Sequence, residues 1–209
     1  MLGQSQNRSH LIDQALGVTL SMLEKARDVF GVAWDHLVEG GSDERISKLD
    51  QDINSGERMV RRLVIEHLTL NPEQDLPFSL TLASIIHDVE RLGDYAKSIA
   101  ELKEWSDSPL WTDGMGGQCR EVKSRVEPLF DLAINAIRES DEEKATQLMN
   151  LHREIKASTD DITAEGLTGP GAQDVLAVLV ARYLRRVSAH LSNVASSVVN
   201  PFDLIARNE

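Results

Sequence analysis

Glu90 and Asp94 stand four residues apart, so on a helix their carboxylates leave one face about one turn from each other. Gly93 lies between them, inside a helical pattern. An interior glycine costs about 0.5–1 kcal/mol relative to alanine. Something must therefore come close to the backbone there, either a neighbouring helix or a bound ion. A second set, Asp50, Asn54 and Glu57, recurs at spacings of four and seven and shares one face of the preceding helix. If the two helices are antiparallel neighbours, the two polar patches meet. Four carboxylates and one amide gathered in this way repel one another unless a cation intervenes. Oxygen ligands suit hard cations such as magnesium, manganese, calcium or ferric iron. The candidate metal ligands are thus Asp50, Asn54, Glu57, Glu90 and Asp94, and the competing reading is a solvated acidic face. His87, three before Glu90, could add a nitrogen, although a surface or structural role is the commoner one for such a histidine.

Other chemistry finds little support. A di-iron bundle needs Glu-x-x-His pairs on two helices, and the nearest string is His87-Asp88-Val89-Glu90, in reverse order. There is no glycine-rich phosphate loop and no zinc-type cysteine set. No catalytic residue is assigned, and the chain is read as not an enzyme. Cys119 is the one cysteine, so no internal disulfide forms, and a reduced, cytoplasmic thiol is the simplest reading.

The elements that must position these residues are helices. Leu11, Ala15, Val18, Met22, Val29, Ala33 and Leu37 recur mostly at three and four, predicting a helix over about 9–37. Gly40 and Gly41 end it. Ser42 caps a second helix with Asp43 and Glu44 in its first turn, and Asn71-Pro72 stops it. The cluster Arg58, Arg61, Arg62 reads as a solvated face. A third helix starts near Asp75-Leu76-Pro77 and runs to about Leu102. Residues 106–118, with one proline and three glycines, read as a connector. A fourth helix is expected over 120–138, kinked at Pro128 or starting nearer Glu127. Ser140 with Glu143 reads as a capping box for the fifth. Gly166 to Gly171 break the chain, a sixth helix covers 172–199, and Pro201 ends it.

The expected fold is therefore all-α, with two tandem antiparallel three-helix bundles. Residues 1–105 form the first bundle, 106–118 the connector and 119–209 the second bundle. The 209 residues can bury a core without staples. A net charge of −12 argues against nucleic-acid partners. No apolar run approaches the ~18 residues of a membrane span. The N-terminal string MLGQSQNRSHLIDQ lacks the basic-then-apolar order of a signal peptide. A cytoplasmic chain, peripheral to a membrane at most, is expected.

The halves are related. Tyr183–Ser196 overlays Asp88–Glu101, so Glu90 meets Arg185, Asp94 meets Ala189 and Tyr95 meets His190. The fifth helix overlays the second, with Ile155 on Ile53, His152 on Asp50 and Lys156 on Asn54. The second half keeps the helical frame and loses the acidic face. His152 and His190 read as packing or surface residues. Lys156, Arg185 and Arg186 fall where the first half holds acids, so fixed side-chain cations could replace an ion there, pairing with Glu154, Asp160 or Asp161. Plain surface charge is the competing reading.

The string Asp88-Val89-Glu90-Arg91-Leu92-Gly93-Asp94-Tyr95-Ala96, continued by Ser98-Ile99-Ala100-Glu101, resembles the third-helix signature of the PhoU family of phosphate-uptake regulators. Asp50, Ile53, Asn54 and Glu57 match that family's second-helix signature. Asp75-Leu76-Pro77 stands where its Asp-Leu-Arg usually does. The resemblance covers about residues 11–199. It implies two three-helix repeats whose acidic pairs bind metal ions on the bundle surface, with iron, manganese, magnesium or zinc the expected cofactors. It also implies regulation of phosphate transport through a phosphate transporter subunit, a sensor histidine kinase or both, with a homodimer possible. Asn54 in place of a carboxylate, and the loss of acids from the second repeat, leave at most one metal site per chain. The alternatives are a metal-independent helical adaptor for another transporter and a metal-dependent hydrolase or oxidase.

Overall fold

Apolar residues that recur every three to four positions can be buried only by packing helix on helix. A computed structural model describes residues 9–105, 113–168 and 172–205 and shows six helices: α1 His10–Glu39, α2 Glu44–Leu70, α3 Leu76–Glu101, α4 Gly114–Glu139, α5 Glu142–Thr168 and α6 Ala172–Val199. Short 3-10 turns follow α3 and α6, and no strand occurs among the described residues. Helices α1, α2 and α3 pack on one another, as do α4, α5 and α6. Two further contacts join the halves, α3 along α6 and α1 across α4. No described helix is long and apolar enough to cross a membrane.

Most ends fall where expected. Gly40 closes α1 at φ 83°, and its N–H donates to the His36 carbonyl at 2.8 Å. Ser42 accepts the Glu44 N–H at 3.3 Å at the start of α2. Asp75, at φ 52°, turns the chain into α3 and accepts the Ser9 N–H at 3.2 Å.

Two ends differ. Helix α4 begins at Gly114, inside the span expected as a connector; residues 106–112 lie outside the described ones. Burial decides this: Met115, Gly116 and Cys119 are buried, and the Cys119 thiol donates to the Ala177 carbonyl of α6 at 3.3 Å. That burial outweighs the ~1 kcal/mol each helical glycine costs. The helix then runs through Pro128 without a break; the proline is exposed there, as is Ser124, whose carbonyl loses its donor to the ring. The cap of α5 is Asp141, not Ser140. Ser140 takes the left-handed conformation that closes α4, at φ 54°, and Asp141 Oδ1 accepts the Lys144 N–H at 2.9 Å. Gly166 stays helical and buried, so α5 ends at Thr168; residues 169–171 lie outside the described ones, as do 1–8 and 206–209.

Between the halves, Phe30 of α1 meets Phe130 of α4 with ring centroids 5.4 Å apart. Arg27 Nη1 donates to Asp131 Oδ1 at 2.6 Å and Arg138 Nη2 to Glu24 Oε1 at 2.9 Å. Between α3 and α6, His190 Nδ1 lies 2.7 Å from Asp88 Oδ1, and Tyr95 packs against Tyr183 and His190. In the repeat register Asp88 matches Tyr183 and Tyr95 matches His190. Exchanging the halves therefore converts the Asp88–His190 contact into the Tyr183–Tyr95 contact. That is the signature of a local two-fold axis between α3 and α6. His190 is a packing residue, half-buried at this junction.

Gly56 sets how closely α1 and α2 approach. A Cβ at this position would lie 2.6 Å from Met22 Cγ and Sδ, and Met22 is 1% exposed. Overpacking of this kind costs about 1–3 kcal/mol. Gly56→Val is expected to lose that much in denaturant unfolding, and unchanged stability would show that the two helices can spread.

Candidate metal centre

Helices α2 and α3 lie side by side, and their touching faces carry the acids. Ile53 and Gly93 make the closest approach: a Cβ on Gly93 would sit 3.1 Å from Ile53 Cδ1 and 3.5 Å from Asp50 Oδ1. The glycine is thus explained by the neighbouring helix. One turn before Gly93 on α3, three side chains converge. His87 Nδ1 lies 3.7 Å from Glu57 Oε1 and 3.6 Å from Glu90 Oε2. One ligand atom from each of the three fits within 4.8 Å of the others.

Glu90 is the unusual member. Its side chain is 13% exposed, and Oε2 is buried with no hydrogen bond. Burial raises its pKa first, Asp94 raises it further, Arg91 opposes, Glu57 raises it and His87 opposes. The nearest cation on Oε2 is Arg91 Nε at 3.5 Å. A desolvated carboxylate oxygen with no hydrogen bond, close to another carboxylate and an imidazole, is only partly compensated by Arg91 and has room for further positive charge.

The five residues expected as ligands divide. Glu57 and Glu90 belong to the convergent group, and His87 joins them. Asp94 Oδ2 instead accepts Arg91 Nη1 at 2.7 Å. Asp50 Oδ2 accepts Asn54 Nδ2 at 3.4 Å. Burial also pushes the Asp50 carboxyl up, with Lys97 opposing and Asp94 adding to the rise. Arg61 Nη2 holds Glu57 Oε1 at 2.8 Å, so one member of the arginine cluster is not merely solvated. His87 was discounted on sequence, yet its i,i+3 spacing to Glu90 was the available signal.

The residues present fit a cation. Ligands on one ion at about 2.0–2.2 Å lie roughly 3 Å apart, so separations of 3.6 and 3.7 Å close with small side-chain rotations. Two carboxylates and one imidazole suit manganese, iron or zinc better than magnesium or calcium, because nitrogen is a softer ligand than oxygen.

The raised Glu90 carboxyl has a signed consequence. Where it is protonated in both folded and unfolded chains it costs nothing. As pH rises through its elevated folded value, the fold must hold a desolvated charge and stability falls. In metal-free protein, Glu90→Gln is therefore expected to be more stable than the parent at about pH 8 and no different at about pH 4. Denaturant unfolding at the two values checks it, and equal stability at the higher one would show that the carboxylate is adequately solvated.

Two linked three-helix bundles with a carboxylate-lined face on the first define an all-α scaffold of the kind built from tandem helical repeats. The chain belongs to the PhoU domain family, whose model it matches over residues 12–102 and 119–198. It is similar to a Pseudomonas aeruginosa protein named phosphate-specific transport system accessory protein PhoU homolog, with 25% identity across 92% of this chain and 80% of that one. The crystal structure of PhoU from Pseudomonas aeruginosa superposes with a TM-score of 0.78 at 19% identity, covering 95% of this chain and 98% of the other. The phosphate transport system regulatory protein PhoU from Streptococcus pneumoniae superposes with a TM-score of 0.74 at 19% identity, covering 96% and 95%.

Proposed function

We propose that this chain regulates phosphate uptake and phosphate signalling by binding a phosphate transporter subunit, a sensor histidine kinase or both, with a metal ion held on its first bundle. The buried Glu90 Oε2, which makes no hydrogen bond and faces Glu57 and His87 across two helices, carries the metal part of this reading. The phosphate part rests on family membership and on the transport system named for the Pseudomonas aeruginosa relative. Glu57 and Glu90 would hold the ion from α2 and α3, and His87 would add a nitrogen. Arg61 and Arg91 orient the two carboxylates from the rim. A bound ion would supply positive charge to Glu57 of α2 and Glu90 of α3. The protein acts by contact at the cytoplasmic side of the membrane, and no residue is assigned a catalytic role.

Capture of a phosphate transporter subunit and of a sensor histidine kinase on immobilised protein tests this, with manganese present and after chelation. Binding to either is expected with metal and should fall at least tenfold on chelation. Binding that ignores the chelator would leave a metal-independent adaptor. Binding to neither would remove the phosphate reading.

A further inference from the structure

The second half repeats the first without its acidic face, and the geometry bears out the register. On the first half's side, Gly93 of α3 approaches Asp50 of α2. Their counterparts are Ser188 of α6 and His152 of α5, and His152 Nδ1 lies 3.0 Å from Ser188 Oγ. Ile155, the counterpart of Ile53, is fully buried like it. Two registers, one for each helix pair, thus yield the same contact twice.

With that correspondence, the ligand positions can be compared. Glu57 is replaced by Thr159, His87 by Arg182, Glu90 by Arg185 and Asp94 by Ala189. No carboxylate remains at any of them. The Thr159 hydroxyl donates to the Lys156 carbonyl at 2.9 Å, within its own helix. His152 is 8% exposed, and burial first, then Arg185, Lys156 and Arg153, push its pKa down to about 4. It stands as a neutral ring where the first half has a carboxylate. The local field is positive, so the residues of this half do not fit a metal ion.

What spans the two helices in its place is an ion pair. Arg185 Nη1 of α6 donates to Asp160 Oδ1 of α5, with the arginine side chain 27% exposed. Of the other acids considered, Glu154 accepts Arg125 of α4 at 3.4 Å. Lys156 and Arg186 make no ion pair among the described residues. Taking the metal reading of the first half as given, we infer that the second half binds no metal and that the Arg185 guanidinium, paired with Asp160, replaces the bound ion as the bridge between α5 and α6. The chain is then asymmetric by construction. One bundle is closed by an ion whose supply can vary, and the other by a side chain whose charge does not.

Hydrogen–deuterium exchange on chelator-treated protein tests the bridge independently of any metal in the first half. Arg185→Gln should speed amide exchange in α5 and α6 about two- to fivefold, the range for an ion pair of this exposure, with α2 and α3 unchanged. Arg186→Gln, on the same helix, should leave all four unchanged. Exchange in Arg185→Gln equal to the parent overturns the bridge. Metal content is the second arm. With manganese added, protein carrying Glu57→Gln and Glu90→Gln should hold none, and protection gained in α5–α6 on adding manganese overturns the inference. A parent that takes up no manganese, iron or zinc sinks the metal part of the proposed function, while the Arg185 comparison still decides whether the ion pair bridges α5 and α6.

Discussion

Adding manganese or ferrous iron to chelator-stripped protein should raise its unfolding temperature by roughly 5–11 °C. At a hundredfold excess over Kd, a ligand bound only by the folded state stabilises by about 2.7 kcal/mol. In a chain of this size each kcal/mol shifts the midpoint by about 2–4 °C. In the Glu90→Ala variant the shift should vanish, because Glu90 supplies a buried carboxylate oxygen that makes no hydrogen bond. Glu57→Ala should reduce it as strongly. Asp94→Ala should reduce it less, since that carboxylate is already engaged by Arg91. Scanning fluorimetry on the four proteins, with and without metal, reads all of this. A shift that survives Glu90→Ala would place the ion elsewhere. No shift with any of manganese, iron, zinc, magnesium or calcium would make the acids a strained but metal-free face.

The same experiment arranges the alternatives. A metal-independent adaptor needs only the scaffold, which the family match and the structural neighbours establish. For it, the desolvated Glu90 is a cost with no return, and Glu90→Gln would stabilise the protein without loss of partner binding. A metal-dependent hydrolase or oxidase needs, besides the ion, a group placed to move a proton at the substrate. His87 would be the natural candidate, but it belongs to the cluster itself, lying between Glu57 and Glu90. Turnover of a phosphate ester by metal-loaded protein would be required to revive that reading.

The helices were legible because burial on a bundle has a period that the residues must follow. The stripe expected for α3 is Leu80, Ala83, Ile86, Val89, Leu92, Ala96 and Ile99; the last five are buried, whereas Leu80 and Ala83 are exposed, because the first turns of α3 bury Phe78, Leu82 and Ile85 instead. The start of α4 was not legible. Three glycines in 114–117 signal a loop by local propensity, and only the tertiary burial of Met115 and Cys119 reverses that sum. At the α4–α5 turn, Ser140 and Asp141 are both good caps, and the choice depends on which residue takes the left-handed conformation. The site shows the same division. Glu57 and Glu90 could be paired across helices from spacing alone. That Arg91 would donate to Asp94 and stand 3.5 Å from Glu90 Oε2 without a hydrogen bond is a choice between neighbouring partners, and spacing does not contain it.

Removing either ring of the Phe30–Phe130 pair should give the largest loss of stability of any single substitution considered. Both are fully buried and lie among the largest side chains in the core. Phe→Ala in such a place costs about 3–5 kcal/mol, or roughly 6–20 °C in a chain of this length. The rings meet across the junction of α1 with α4, 5.4 Å apart and tilted by 38°. Their contact should therefore couple the halves by about 0.5–1.5 kcal/mol beyond the burial of each. The double variant is expected to lose that much less than the sum of the two single losses. The ion pairs beside the rings, Arg27–Asp131 and Glu24–Arg138, are exposed and supply little to replace them. Denaturant unfolding followed by far-UV dichroism reads the cycle. Strict additivity would mean that each bundle buries its own phenylalanine without help from the other. Sub-additivity of the expected size would make the aromatic pair a physical link between the half that keeps the acidic cluster and the half that has lost it.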